Sequence, residues 1–518
     1  MNTGVVCKRN RTERPQRKDP TESKGLFATS VFRAVASATA ARFCAMALCG
    51  LAVSGRCELP ALTAPLVLAQ TPRVHGAGTA KDSLDLCCCP GSRVVVAAAP
   101  LGTSKVRVLS EGLCAAGGLV VSLDGARVYF TGKAGVQSEW QVYEAPVAGG
   151  RPRRVTSMPG GAAAPALLPD GSVVFASPVP KLGNPIVAAP PPQLYAQSPG
   201  ARPRRLTFGL SGAADPTVLL DGRILFVSST SPGPAGLARG LSLFTINNDG
   251  TEVTAFACQH DAPAVIARPG QLPDGRVVFL ASALGSAVTE GSAECVRMAR
   301  PFLSRAKAFP ALGARVCSVC SEGENGFLVC AGDSRSSRAV YRLEGSAGEL
   351  GASLFEDSAW DCVEVAVARA RQRPMGRLST VDAAKGTGQI LCLNANDTTY
   401  NGGKETGAAA ARIRVLTGVA PGRCRALGEV RVQDDGSFMA EVPADIPLGF
   451  EALDTQGQVL RRVEPILWVR PGENRSCTGC HAAHNRAPHN HRPLAVYAPV
   501  PCLGREPEAS LAQKDAVK

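Results

Sequence analysis

"LPDGSVVF", residues 168–175, is a tight turn followed by an apolar strand, and the same phrase returns along the chain. It reappears as "SLDGARVYF" at 122–130, "LLDGRILF" at 219–226 and "LPDGRVVF" at 272–279, with the turn aspartates at 124, 170, 221 and 274. That spacing is close to the length of one propeller blade. Other phrases recur in step with it. "QVYEAPVAGGRPRRVT" (141–156) and "QLYAQSPGARPRRLT" (193–207) each give a strand, a glycine turn, paired arginines and an apolar-Thr end, and "SLFTINNDGTEVT" (242–254) is a looser copy. Units of strand, turn and strand with period-two alternation bury their faces only by stacking on their neighbours, which predicts four-stranded blades around a ring. An all-β chain with a six-bladed propeller over about 86–370 follows, counting weaker blades at 93–112 and 326–345, with seven blades or an array of unrelated hairpins as the alternatives.

A Pro/Arg-rich break, "RARQRPMGRL" (369–378), ends the repeats. The strands beyond it, separated by Asp-Gly and Gln-Gly turns, predict a compact β-sandwich over 377–470. The tail at 471–502 is rich in Pro and His and reads as irregular structure around a bound group, with 503–518 as a disordered end.

The chain of 518 residues has 54 Gly and 39 Pro but 5% aromatics, which suits a loop-rich β protein rather than a helical bundle. Its formal charge of +13 is unevenly placed, since residues 1–42 hold nine Lys/Arg against three acids. The remainder shows no basic stripe interleaved with aromatics, so nucleic acid is not an expected partner. The basic leader runs into "FCAMALCGLAVSG" (43–55), about the length of a signal-peptide core and short for a membrane span. Residues 1–70 are therefore read as a largely disordered export leader with cleavage sites after Ala64 or Ala69, an uncleaved N-terminal anchor or a mis-assigned start codon being the alternatives. No other stretch is apolar enough to span a bilayer. The 19 cysteines fit an oxidising, periplasmic or other extracytoplasmic compartment and predict disulfides. Cys317 and Cys320 read as a disulfide or buried thiols, and Cys87, Cys88 and Cys89 as structural.

"SCTGCHAAHNRAPHNH" (476–491) carries the chemistry. Cys477 and Cys480 stand three apart with His481 next, the pattern in which two thiols on one helical turn form thioethers to haem vinyl groups and the adjacent imidazole ligates iron as the proximal ligand. Random placement of the chain's Cys and His would give this pattern about 0.008 times. The alternative is zinc held by Cys477, Cys480 and two of His481, His484, His489 and His491, or a plain disulfide. For haem iron the distal candidates are His489 and His491, with His75, His260 and Met439 as more remote ones; a five-coordinate iron would permit ligand chemistry and a six-coordinate one electron transfer. There is no phosphate-binding glycine loop, no Gly-x-Ser-x-Gly and no His-Glu-x-x-His. Turn chemistry alone accounts for Asp124, Asp170, Asp221 and Asp274.

"DGSFMAEVPADIPLGFEALDTQGQVL" (435–460), "WVRPGENRSCTGCH" (468–481) and "APHNHRPLAV" (487–496), together with "RLSTVDAAKGTGQILCLNAN" (377–396), resemble the hydrazine synthase alpha subunit and its single-subunit relatives. The resemblance is strong over 377–496 and general over the propeller. It implies an exported protein pairing a WD40-like or TolB-like propeller with one covalent haem c, with Cys477 and Cys480 as thioether cysteines and His481 as proximal ligand. Hydrazine synthase itself uses a second, differently ligated haem and partner subunits, whereas this chain has a single Cys-x-x-Cys-His. The resemblance is therefore carried to the wider family and not to hydrazine formation. The resulting expectation is a mono-haem cytochrome-like protein acting in electron transfer or as a haem-dependent oxidoreductase, with a redox protein or a small molecule as partner. The alternative is a propeller-based binding module whose tail holds zinc or a disulfide.

Overall fold

The computed structural model describes residues 62–73, 90–99, 106–178, 191–229, 240–257, 264–283, 290–323, 326–332, 337–344, 350–398, 408–420, 423–479 and 490–504. The described residues build six four-stranded antiparallel blades of a β-propeller and a two-sheet sandwich. Five blades are continuous in sequence, and their inner strands are Ala115–Val121, Ala163–Leu167, Ala214–Val218, Ala264–Gln271 and Arg315–Ser321. The sixth is composite: its inner strand Trp360–Val367 pairs with Leu66–Pro72, which is followed outward by Arg93–Ala97 and Arg107–Val108. The ring is thus closed by joining its two ends.

That closure corrects the leader boundary. Leu66–Pro72 is a blade strand with Leu66, Val67, Leu68 and Ala69 buried, so the propeller starts some twenty residues before position 86. Cleavage after Ala69 would cut this strand, whereas cleavage after Ala64 would leave it whole. The apolar patch that reads as the end of a leader is apolar because both of its faces are covered.

The repeated phrases have local causes. In each Asp-Gly turn the aspartate accepts the amide two residues on: Ala126 at 3.0 Å from Asp124, Ser172 at 2.9 Å from Asp170, Arg223 at 3.0 Å from Asp221 and Arg276 at 2.9 Å from Asp274. The apolar-Thr ends also carry buried bonds. Thr156 donates to the Gln141 side chain at 2.8 Å and accepts the Val142 amide at 2.9 Å, and Thr207 does the same with Gln193 and Leu194 at 2.7 and 2.9 Å. Each pair satisfies backbone where the short outer strand stops.

The Pro/Arg-rich break is an extended strap laid over the turns of successive blades. The Arg371 amide bonds to Leu123 O at 3.0 Å, the Arg373 side chain to Pro169 O at 2.5 Å, the Met375 amide to Leu220 O at 2.9 Å and the Arg377 side chain to Asp221 O at 2.9 Å. A Cβ on Gly222 would lie 2.4 Å from Met375 O, so this glycine serves both its turn and the passage of the strap. The Asp-Gly turns therefore have a second role beyond turn chemistry: they carry the strap.

In the sandwich, Thr387–Asn394 lies between Phe438–Pro443 and Asn474–Gly479, facing a sheet of Arg423–Arg431, Arg412–Ala420, Leu448–Leu453 and Val459–Leu467. Ile390, Ile413, Val415, Phe438, Val442 and Phe450 fill the space between them. Trp468 leaves this domain and enters the core of the propeller, where it packs with Phe208, Phe226 and Phe244. Its indole N–H donates to Gly250 O at 2.9 Å. Beside it, buried Glu473 accepts the Glu252 amide at 2.9 Å and the Arg470 amide at 2.7 Å.

The described cysteines form no disulfides, contrary to expectation; all ten are thiols. Cys295, Cys317, Cys330, Cys362 and Cys392 are buried on strands, acting as small apolar side chains. Cys317 and Cys320 are thiols on one strand, and burial raises the pKa of both. Among the described residues no helix is long and apolar enough to cross a membrane.

Candidate functional site

Cys477 sits on Asn474–Gly479, a strand running parallel to Thr387–Asn394 with Cys477 in register with Cys392. This corrects the expectation of an irregular tail from Cys477 onward with both thiols on one helical turn: the first thiol of the motif is fixed in a sheet. Gly479 ends the strand where the chain passes close to the 394–397 loop, and a Cβ there would meet Asp397 O at 2.3 Å. The small residue inside the Cys-x-x-Cys is thus required by the sandwich itself.

A cavity of about 190 Å³ opens beside the thiol. Its walls are Ile390, Phe438, Phe450, Val463, Ile466 and Leu467, with Cys392, Cys477 and Gly479 at one side. Phe438 and Ile390 face it because alternate residues of a strand share one side, and the same alternation turns Met439 to the opposite side of the sheet. Met439 is therefore not placed to reach this cavity. Apart from the thiols, no side chain of the wall can donate or accept a hydrogen bond, which favours an apolar occupant.

Downstream, residues 490–504 pack back on the sandwich through Ala495 and Leu503, and Cys502 bridges to Glu441. Asp435 anchors this return. It accepts the Leu494 amide at 2.8 Å and the Ser437 amide at 3.0 Å, and its carboxylate lies 3.3 Å from the His491 ring. Burial alone would raise the Asp435 carboxyl, but these bonds and the Ser437 hydroxyl outweigh it and hold its pKa down at about 2. His491 thus has a carboxylate partner and is not among the residues lining the cavity. Cys480, His481, His484, His489, His75 and His260 lie outside the described residues.

A stability test follows from Asp435. Replacing it with Ala is expected to weaken docking of the 490–504 segment by about 1–3 kcal/mol, read as faster proteolysis or amide exchange there. Its folded pKa of about 2 lies below the unfolded value, so the contribution is complete above roughly pH 4 and is lost as pH falls through about 2. The Asp435→Ala variant should lack that part of the acid dependence.

Residues 376–482 match the family described as hydrazine synthase alpha subunit middle domain. This segment is similar to the hydrazine synthase alpha subunit middle domain. Its match begins on the strap, spans the sandwich and ends just after the Cys-x-x-Cys-His. Among solved structures, hydrazine synthase of Kuenenia stuttgartiensis is similar in fold, with a TM-score of 0.74 and 17% identity over 84% of this chain and 71% of that one. TolB from Acinetobacter baumannii is similar at a TM-score of 0.42 and 12% identity, over 60% of this chain and 67% of that one. No match was found among curated proteins.

Cys477 is legible in the sequence, but the wall that the middle domain provides is not. Ile390, Phe438 and Phe450 are visible in the sequence only as alternating strand residues, and which side of the sheet they serve depends on pairing between distant strands.

Proposed function

We propose that the chain is an exported, mono-haem c-type protein that uses the middle domain to seat the haem for electron transfer. The observation that carries this reading is the position of Cys477, a thiol on a fixed strand at the edge of an apolar cavity. The donor set fits covalent haem. Cys477 and Cys480 would hold the porphyrin through thioethers and His481 would ligate the iron, as the spacing of the motif allows. Bound haem would supply a one-electron iron couple.

The chain's own residues contribute burial and position. Phe438, Phe450, Leu467 and their neighbours keep water from one side of the thiol, and an apolar surround of this kind raises the reduction potential of an iron centre. Pairing of Asn474–Gly479 with Thr387–Asn394 holds Cys477 at a constant depth. The return of 490–504, anchored on Asp435, brackets the far end of the motif. The single Cys-x-x-Cys-His favours electron transfer over hydrazine formation. Export agrees with the basic leader, and cleavage at Ala64 would spare the first blade strand.

The test is composition. Protein produced with a cytochrome c maturation system should give a pyridine haemochrome spectrum equivalent to one haem per chain and no stoichiometric zinc. Stoichiometric zinc without haem would overturn the proposal in favour of a metal-stapled binding module.

A further inference from the structure

The inner strands of all six blades converge on a second cavity, of about 200 Å³, at the centre of the propeller. At roughly 30 Å³ per molecule that is space for about six or seven waters. Five inner strands break register where they line the cavity, at Gly117/Leu119, Ala163/Ala166, Ala214/Thr217, Ala267/Gly270 and Val316/Ser318. In four of them the bulged residue, Gly118, Ala164, Asp215 or Arg268, has φ of +61°, +53°, +46° or +49°. Three of these residues are not glycine, and each of those three precedes a proline that lines the cavity: Pro165, Pro216 and Pro269. Left-handed backbone at non-glycine residues is strained, and strain gathered in the bulges around one cavity is typical of a ligand site.

The charges in this ring are unequally matched. Arg268 Nη1 lies 3.2 Å from Glu364 and donates to Val363 O at 2.8 Å, while its amide donates to Asp215 at 3.1 Å. The second oxygen of Glu364 accepts the Leu119 amide at 3.1 Å. Arg371 lines the same cavity from the strap, is open to solvent and donates to Val121 O at 3.0 Å. No carboxylate pairs with it among the described residues. A guanidinium has five N–H donors in a planar fork, and here one carbonyl takes up a single nitrogen.

We propose that the central cavity of the propeller binds a small anion, a carboxylate or an inorganic oxyanion, on the Arg371 guanidinium. The proposal is independent of the haem reading, since no residue of the Cys477 cavity takes part. Glu364 adds a pH dependence. Burial raises its carboxyl above the ordinary range, with Asp215 adding to the rise and Arg268 and the Leu119 and Gly118 amides opposing it. Protonation removes a negative charge from the ring, so anion affinity rises as pH falls through the Glu364 titration.

Isothermal titration calorimetry of the full chain at low ionic strength, with sodium phosphate in one arm and sodium succinate in the other, tests this. A saturable signal in either arm supports the site, and the arm that shows it names the source of the oxygens. Arg371→Gln should weaken binding at least tenfold. Arg373→Gln, whose side chain contacts Pro169 O outside the cavity, should leave it unchanged. Glu364→Gln should still bind and should retain only the pH dependence that the probe's own titration brings. If Arg371→Gln does not fold, Arg371→Lys, which keeps the charge but loses the fork, must weaken binding several-fold. Failure of both probes to bind at millimolar concentration, or equal affinity in a folded Arg371 variant, would overturn the proposal.

Discussion

A chain lacking residues 1–72 will not fold to a closed propeller, whereas a chain lacking residues 1–61 will. The first deletion removes Leu66–Pro72, which lies between Arg93–Ala97 and Trp360–Val367 in the composite blade. Leu66, Val67 and Leu68 are each fully buried. At about 1.5–3 kcal/mol for each such side chain, their loss amounts to roughly 5–9 kcal/mol. That is comparable to the whole stability of a typical domain, about 5–15 kcal/mol. The loss would also leave Trp360–Val367 and Arg93–Ala97 with unpaired edges, which invite aggregation. The shorter deletion leaves every described blade pairing in place. Urea unfolding of the two proteins should show a cooperative transition for the shorter deletion and none for the longer. A normal transition for the longer deletion would mean that the ring does not need this strand.

Trp468→Ala is the second substitution with a large expected effect, a loss of about 3–5 kcal/mol. The indole is 3% exposed, contacts Phe208 edge-on with ring centroids 6.4 Å apart, and donates to Gly250 O. Truncation leaves a cavity between Phe208, Phe226 and Phe244 and an unpaired carbonyl at Gly250. Because Trp468 belongs to the middle domain and its contacts to the propeller, the damage should fall on the joint between them. Limited proteolysis is expected to cut the strap at 369–378 faster in this variant, with each domain's strands still protected in amide exchange. Trp468→Phe, which keeps the apolar bulk and loses the N–H, should cost about 1–2 kcal/mol.

These two cases also mark what could be read from the sequence. The Asp-Gly phrases disclosed the blades because a turn and the strand after it are specified within a few residues. Closure was hidden. Gln70 and Cys362 contact one another although they are 292 positions apart, and a short apolar run such as "PLVLAQ" (65–70) reads equally well as the end of a leader. Trp468 gave no local sign of its role, since its partners come from blades more than two hundred residues earlier. The central ring did leave a trace: Pro165, Pro216 and Pro269 each precede a turn aspartate by five positions. The backbone that these prolines follow becomes evident only in three dimensions.

In the tail, the Cys-x-x-Cys-His was legible as chemistry, but its setting was not. "NRSCTG" (474–479) has no apolar alternation, so nothing in it signals a strand. It forms one because Thr387–Asn394 offers a free edge and Gly479 allows a close pass by Asp397. The middle domain thus presents Cys477 from a sheet rather than from a flexible tail. That placement beside an apolar cavity, together with the spacing of the motif, supports the covalent group proposed as its occupant.

The measurement that tests this most directly is intact-mass spectrometry, under denaturing conditions, of the full chain produced with a cytochrome c maturation system. The prediction is the mass of one haem added covalently to each chain and absent from the Cys477→Ala/Cys480→Ala variant. An unmodified polypeptide mass, with both thiols open to alkylation, would contradict it.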